Sequence, residues 1–399
     1  MMQEPVGTNL GLEKKLRNKI AGSPAFHALL ERRASSNFVF GIGHTQTLLG
    51  HFLPAPSHRH VSSPKHTSSL AKITTSDGDT LVGLHFKHAP TNKTVARGVL
   101  HVFHGLSGST DSGYMPRVAM AALGAGFDTI LWNHRGCGPG RKQALAPYHS
   151  GRSDDLLRAV QWGRAFYEQT EAAKHADFRH GVLGYSLSGN ATCLMAARIV
   201  PAFDSMPLSQ KFIQREIQGA MPDFAIAVNP PFDLGRASKR LTHQNARIYG
   251  QAFMKDLLIS LQDRAHWTPE NEQRRHLKEL AAKAHRKLSR FDSVETFDAL
   301  YTGPAGGFKD HSDYYSRASS GQYLKDVCIP LVILSADDDP ITHGFSDLPS
   351  FENEFVILDR QKHGGHMGFI DQETLMSSLL RKAEYRWLER RIQMYLKEC

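Results

Sequence analysis

The chain changes its hydrophobic rhythm near residue 90. Before that point, Thr80-Leu81-Val82-Gly83-Leu84-His85-Phe86 alternates at period two after a Ser-Asp-Gly-Asp turn at 76–79. The alternation predicts a strand paired as a hairpin with 69–75. Beyond it, apolar runs at 99–103, 128–132, 181–185, 224–228, 329–334 and 355–358 are separated by helical patterns. Such runs predict strands buried on both faces, and their alternation with helices predicts a mostly parallel sheet covered on both sides. About a hundred residues separate the run at 224–228 from the run at 329–334. Within that interval Leu277, Leu280, Ala281, Ala284 and Leu288 keep the spacing of one helical face, and another helix is expected over about 245–261.

Upstream, residues 9–34 read as two short basic helices. The second has Ser23 as N-cap, Pro24 at the first helical position, and Phe26, Leu29 and Leu30 on one side. Packing of this arm on the main domain is expected ahead of a role at a membrane surface. Pro54, Pro56 and Pro64 mark a turn-rich connection. The predicted partition is an N-terminal helical arm with an extended segment (1–60), a first part of an α/β core (61–233), a helical lid (234–305) and a second part of the core (306–399).

Composition narrows the class without changing that picture. Hydrophobic residues make up 41% and charged residues 22%, an ordinary globular balance. A chain of 399 residues accommodates an α/β domain of roughly 250–300 residues plus a smaller accessory region. No stretch approaches the roughly 18 consecutive apolar residues of a membrane span. No basic-then-apolar export signal opens the sequence, so a cytosolic location is expected. Cys137, Cys193, Cys328 and Cys399 lack C-x-x-C spacing and predict reduced thiols rather than a disulfide framework or a zinc site. A net charge of +9 has two readings. It attracts anionic partners, such as phospholipid head groups at a membrane surface or acyl-CoA, or it simply keeps the surface soluble. No basic run interleaved with aromatics marks a nucleic-acid platform. No pattern specifies an oligomeric state.

The densest chemical signal is His180-Gly181-Val182-Leu183-Gly184-Tyr185-Ser186-Leu187-Ser188-Gly189-Asn190, an apolar strand running into Gly-x-Ser and then into a helix. That is the context of a nucleophile elbow, whose tight turn needs a small residue two before the serine and a nearly small one two after it. Gly184 meets the first demand. Ser188 stands where glycine is usual. Ser186 is the expected nucleophile, and Ser188, flanked by Ser186 and Asn190, fits less well. A serine hydroxyl needs a base near pH 7, and in such elbows the partners follow in the order serine, acid, histidine. The strand Ile329–Leu334 runs into Ser335-Ala336-Asp337-Asp338-Asp339-Pro340. Asp339, directly before proline, is the expected acid, and Asp338 is the alternative. After the next strand, Lys362-His363-Gly364-Gly365-His366-Met367-Gly368-Phe369 carries the expected base, His366, with His363 as the alternative. The glycines suit a loop that folds back toward the serine.

A fourth component is expected after the run at 99–103, where His104-Gly105-Leu106-Ser107-Gly108 forms a turn. The backbone N–H groups of Leu106 and Leu187 are predicted to form an oxyanion hole. His104 itself reads as a packed turn residue.

Several ordered motifs extend the pattern from about 43 to 370. They include Gly43-His44-x-Gln46-Thr47, His104-Gly105-Leu106-x-Gly108-Ser109, Asn133-x-Arg135-Gly136-Cys137-Gly138 and Tyr148-His149-Ser150-Gly151 with Asp155. Further on come Asn229-Pro230-Pro231-x-Asp233-Leu234, Phe291-Asp292, Gly307-Phe308 with Tyr314-Tyr315, and Gly365-His366-x-Gly368-Phe369. With the elbow and the Asp-Asp-Pro turn, they resemble the YheT-type branch of the α/β-hydrolase superfamily, which includes membrane-anchored eukaryotic lipases and esterases. The resemblance implies an eight-stranded-type, mostly parallel sheet flanked by helices, and a triad on Ser186, Asp339 and His366. It also implies carboxylesterase, acylglycerol lipase or phospholipase activity on a small-molecule or lipid acyl ester, with no cofactor. Arg135 and Asp155 read as loop anchors, and Tyr314 and Tyr315 as packing or pocket residues.

Three other functions compete. Transfer of the acyl group to an alcohol would use the same nucleophile. A ligand-binding protein would use the same scaffold without turnover. A metal-dependent hydrolase would draw on 22 histidines, on His-x-x-His at 101/104 and 363/366, and on the Asp triplet. These pairs fall on strands and glycine-rich loops, however, and not on one helical face as a zincin motif requires.

Overall fold

The computed structural model describes residues 42–53, 61–62, 66–75, 77–89, 95–172, 177–201, 221–243, 246–268, 272–379 and 386–399. The helices expected within 9–34 and the turns at Pro54, Pro56 and Pro64 lie outside them.

In chain order the elements are α1 (Gly43–Phe52), β1 (His66–Thr74), β2 (Thr80–His88), β3 (Gly98–Phe103), α2 (Tyr114–Gly124), β4 (Phe127–Asn133), α3 (Ser153–Tyr167), β5 (Arg179–Tyr185), α4 (Leu187–Ala196) and β6 (Phe224–Val228). Then follow α5 (Leu234–Arg240), α6 (Arg247–Ala265), α7 (Glu272–Lys287), α8 (Val294–Phe297), a π-helix (Asp298–Thr302) and α9 (His311–Ala318). The chain closes with β7 (Leu331–Ala336), β8 (Val356–Gln361), α10 (Gln372–Leu379) and α11 (Trp387–Glu398).

The strands form one eight-stranded sheet in the order β1-β2-β4-β3-β5-β6-β7-β8. β1 pairs antiparallel with β2, and β2 antiparallel with β4, whereas every pair from β4 to β8 is parallel. The alternating hairpin and the six apolar runs therefore become these eight strands, as expected. Strands β3, β4, β6 and β7 are buried along their whole length, as two covered faces require. The edges differ: β1 buries only Ala71 and Ile73, and β8 leaves Leu358 41% exposed instead of buried on both faces because no strand lies beyond it. β2, where the alternation is read, buries Leu81, Val82 and Gly83 in succession between its two neighbours. Successive residues of β3 enter opposite cores. Leu100 and Val102 pack with α2 and α11, while Val99 and Phe103 pack with α3 and α4.

The loop after β4 is pinned by Arg135, whose guanidinium donates to Asp155 at 2.7 and 2.8 Å and to Asp77 and Asp79 at 2.6 and 2.9 Å. Arg135 and Asp155 thus anchor loops. Helices α5 to α9 fill the interval between β6 and β7; α6, α7 and α8 share an apolar core that includes Leu257, Leu261, Ala281 and Phe297, and α5 and α9 meet in a smaller one through Leu234, Tyr314 and Ala318. Arg264 at the end of α6 donates to the carbonyls of Arg135 and Leu145, tying this layer to the sheet domain. Among the described residues, no helix is long and apolar enough to cross a membrane.

Candidate active site

Ser186, Asn229, Asp339, His366 and Leu106 all follow the carboxyl ends of parallel strands, the end at which such sheets bind ligands. Ser186 lies between β5 and α4 with no intervening loop, and the turn forces it to φ 52°, ψ −115°. Its N–H donates to Val228 O at 2.8 Å, and its carbonyl accepts the Asn190 N–H at 3.1 Å. Regular elements hold the strained residue from both sides. A Cβ on Gly184 would sit 2.2 Å from the Ser188 carbonyl oxygen and 2.3 Å from Thr192 Oγ1, so only glycine lets strand and helix meet this closely.

Ser188 faces inward. It is fully buried, its hydroxyl donates to the His104 carbonyl, and the His134 Nε2–H donates to it at 2.6 Å. Burial brings the His134 pKa down to about 4, so its ring is neutral near pH 7. The serine in place of the usual glycine ties the elbow to the turn after β3.

His366 Nε2 lies 2.9 Å from Ser186 Oγ, and its Nδ1 lies 2.8 Å from Asp339 Oδ2. The Ile341 and Thr342 amides donate to Asp339 Oδ1 at 2.8 and 2.9 Å. The Thr342 hydroxyl and Asn229 Nδ2 donate to Oδ2 at 2.7 and 2.8 Å. Burial pushes this carboxyl up, but the His366 ring and the Thr342 donors outweigh it and hold Asp339 below the usual carboxylate range. The three adjacent aspartates have three separate partners. Asp337 pairs with Arg360 at 2.7 Å, Asp338 accepts the Gly365 N–H at 2.8 Å and lies 3.3 Å from His363 Nδ1, and Asp339 meets His366.

The turn after β3 lies against the serine: a Cβ on Gly105 would be 3.2 Å from Ser186 Cβ. The amides flanking Leu106 are taken, Gly105 N–H by Tyr114 OH at 3.0 Å and Ser107 N–H by Tyr148 OH at 3.1 Å. Leu106 lines the cavity between them. Leu187 opens α4, so its N–H has no carbonyl four residues back inside the helix. The His104 ring donates from Nδ1 to Gly105 O at 2.8 Å and accepts the His134 N–H at 3.1 Å. It is a packed turn residue, and neither His-x-x-His pair converges on one point. His101 Nδ1 accepts from Trp132 Nε1–H at 3.1 Å, while His366 faces Ser186 and Asp339.

Ser186 opens into a cavity of about 90 Å³, whose walls include Leu187, Leu234, Leu241, Phe253, Leu257 and Ile341. Tyr314 and Tyr315 line it too. Tyr315 OH donates to Asp298 Oδ2 at 2.8 Å and lies 3.0 Å from Ser238 Oγ. Burial pushes Asp298 up to about 6, against the opposing pull of Thr302 and Tyr315. Two of these residues were not singled out for a role from sequence. Asn229 is held at φ 47° and links Asp339 to the His366 loop, with Nδ2 also 3.3 Å from Gly365 O and Oδ1 accepting the Met367 N–H at 3.3 Å. Asp298 begins the π-helix, whereas Phe291 of the Phe291-Asp292 pair is 64% exposed and Asp292 accepts from Ser289. The available signal was the apolar spacing Val294, Phe297, Tyr301, which buries the second Phe-Asp pair and not the first.

A sheet of this order with an elbow serine facing a histidine defines a class, and residues 98–373 match the family model for the alpha/beta hydrolase fold. The chain belongs to that family. Within it, the chain falls in the YheT branch: it is 28% identical to YheT of Escherichia coli (strain K12) over 371 residues, 92% of this chain and 94% of that protein. It is 26% identical over 290 residues to the monoacylglycerol lipase of Saccharomyces cerevisiae (strain ATCC 204508 / S288c), 70% of this chain and 56% of that protein. Over 81 residues it is 35% identical to phospholipase ABHD3 of Mus musculus, 20% of each chain.

Proposed function

We propose that this protein is a serine hydrolase that cleaves carboxylic esters of acyl or lipid-like substrates through an acyl-Ser186 intermediate. The observation that carries the reading is the hydrogen-bonded line from Ser186 Oγ through the His366 ring to Asp339. Ser186 Oγ attacks the ester carbonyl carbon while its proton passes to His366 Nε2. Asp339, ionised and held by four donors, keeps the Nδ1–H tautomer that leaves Nε2 able to accept. The carbonyl oxygen becomes an oxyanion between the Leu106 and Leu187 amides, each such donor being worth about 3–4 kcal/mol in the transition state. His366 returns the proton to the departing alcohol oxygen. Water then attacks the acyl-enzyme with the same base and releases the acid.

The apolar cavity walls support an acyl chain as the part that is buried. The names of the relatives, a monoacylglycerol lipase and a phospholipase, support a lipid ester. Fluorophosphonate is expected to label the protein at Ser186, and Ser186→Ala is expected to lose both labelling and hydrolysis of p-nitrophenyl esters. An unlabelled Ser186 in active protein would refute the reading. Adding alcohols to the assay and analysing products separates hydrolysis from acyl transfer.

A further inference from the structure

The Gly43-His44-x-Gln46-Thr47 motif has no place in the chemistry above, and it lies outside the 98–373 span matched by the family model. In the fold it opens α1, more than 300 residues from the histidine loop, and it packs directly on that loop. The His366 N–H donates to Thr47 Oγ1 at 2.9 Å, and the Thr47 hydroxyl donates to Gly43 O at 2.7 Å. Gln46 is fully buried and uses both ends of its amide on one residue: Ile370 N–H donates to Oε1 at 2.6 Å, and Nε2 donates to Ile370 O at 3.1 Å. The two hydrogen-bonded points bracket the loop, one on His366 itself and one four residues on.

The backbones meet more closely than side chains allow. A Cβ on Gly43 would lie 1.7 Å from Asp338 O, one on Gly365 2.3 Å from Gly43 O, and one on Gly368 2.2 Å from Gln46 O. The loop needs such support. Gly364, Gly365, Met367 and Phe369 all have positive φ, the two glycines directly before His366 and the two non-glycine residues just after it. Backbone in that region persists only where its surroundings over-determine it. Asp338 and Asn229 hold the loop from the sheet side, and α1 holds it from the other.

We propose that α1 is a working part of the active centre, with Thr47 and Gln46 as positioning residues that fix the imidazole of His366 for proton transfer. The proposal rests on the reading of His366 as the general base. A hydrogen bond to the base's own backbone is a strong place for such control, because a shift of about 1 Å in a catalytic group costs on the order of 10²-fold in rate.

The test uses the full chain with Thr47→Val, Thr47→Ser and Gln46→Glu, p-nitrophenyl butyrate as substrate, and fluorophosphonate as the active-site probe. Thr47→Val preserves shape and removes the acceptor. Thr47→Ser keeps the acceptor, and Gln46→Glu keeps Oε1 but loses the Nε2 donor. The expected result for Thr47→Val is a loss of tenfold or more in kcat with KM within about twofold, and fluorophosphonate labelling slowed by the same factor. Thr47→Ser should recover most of both, and Gln46→Glu should fall between. Wild-type kcat and labelling in Thr47→Val would overturn the proposal, as would a loss that serine does not restore and that follows the thermal midpoint. If wild-type protein is not labelled at Ser186, the reading of the site fails and the proposal fails with it. If wild type labels and Thr47→Val labels equally fast, only the role of α1 falls.

Discussion

The two halves of the site are built in opposite ways. On the serine side, one stretch from β5 through Ser186 to α4 contains most of what places the hydroxyl, and a single strained residue is held by the elements it joins and by the bond from its N–H to Val228 of β6. On the histidine side, four segments meet: Asp338 and Asp339 after β7, Asn229 after β6, α1, and a loop with four residues at positive φ. The serine is positioned by chain connectivity, and the imidazole by cross-links between distant segments. Damage to the serine side should therefore be chemical and local, while damage to the histidine side should join lost rate to lost stability.

The sharpest break is at Ser186. Ser186→Ala should lower ester hydrolysis on the order of 10⁶-fold and abolish fluorophosphonate labelling, while the thermal midpoint stays close to wild type. A large fall in that midpoint would contradict the local character of this half.

Asp339→Asn should lower kcat about 10⁴-fold, because the amide favours the wrong imidazole tautomer. It should also destabilise. The folded carboxyl ionises more readily than the ordinary 3.8, so its contribution is full above that value and is lost as pH falls through the lower folded value. The gap in thermal midpoint between wild type and Asp339→Asn should be widest at neutral pH and close as pH drops below about 3.8. A constant gap across that range would mean that the charge is not what holds this side together.

Asn229→Ala removes links to Asp339, Gly365 and Met367 at once. It should cost about 10²-fold in kcat through misplacement of the ring, with a lowered thermal midpoint. Ser188→Gly, on the serine side, should have the smallest effect. Losing its hydroxyl bonds should cost about 1–2 kcal/mol in denaturant unfolding and less than about tenfold in kcat. An effect on rate larger than that of Asn229→Ala would reverse the comparison.

Much of the architecture was readable from the chain because its signals are local. A strand buried on both faces is largely apolar, so β3, β5, β6 and β7 announce themselves in five or six residues even where a buried His101 interrupts β3. Ser186 is readable for the same reason, since the steric demand on Gly184 acts between residues a few positions apart. The choice among Asp337, Asp338 and Asp339 is a different matter. Side chains one residue apart point in different directions, and only the fold sends one to Arg360, one to Gly365 and one to His366. The same applies to Asp292 and Asp298, where sequence offers two Phe-Asp pairs and burial selects one.

The glycines around His366 show where sequence reasoning stops. In sequence they suit a loop that folds back. In the structure Gly365 and Gly368 are also what lets the α1 backbone approach within contact distance. By itself the sequence determined the strand-and-helix alternation, the elbow at Ser186 and the residue types that follow it in order. The tertiary structure alone decided which aspartate meets the imidazole, which asparagine steadies them and which helix closes over the loop. Those contacts join residues from 27 to more than 300 positions apart, and no local pattern encodes a distance between segments that only packing brings together.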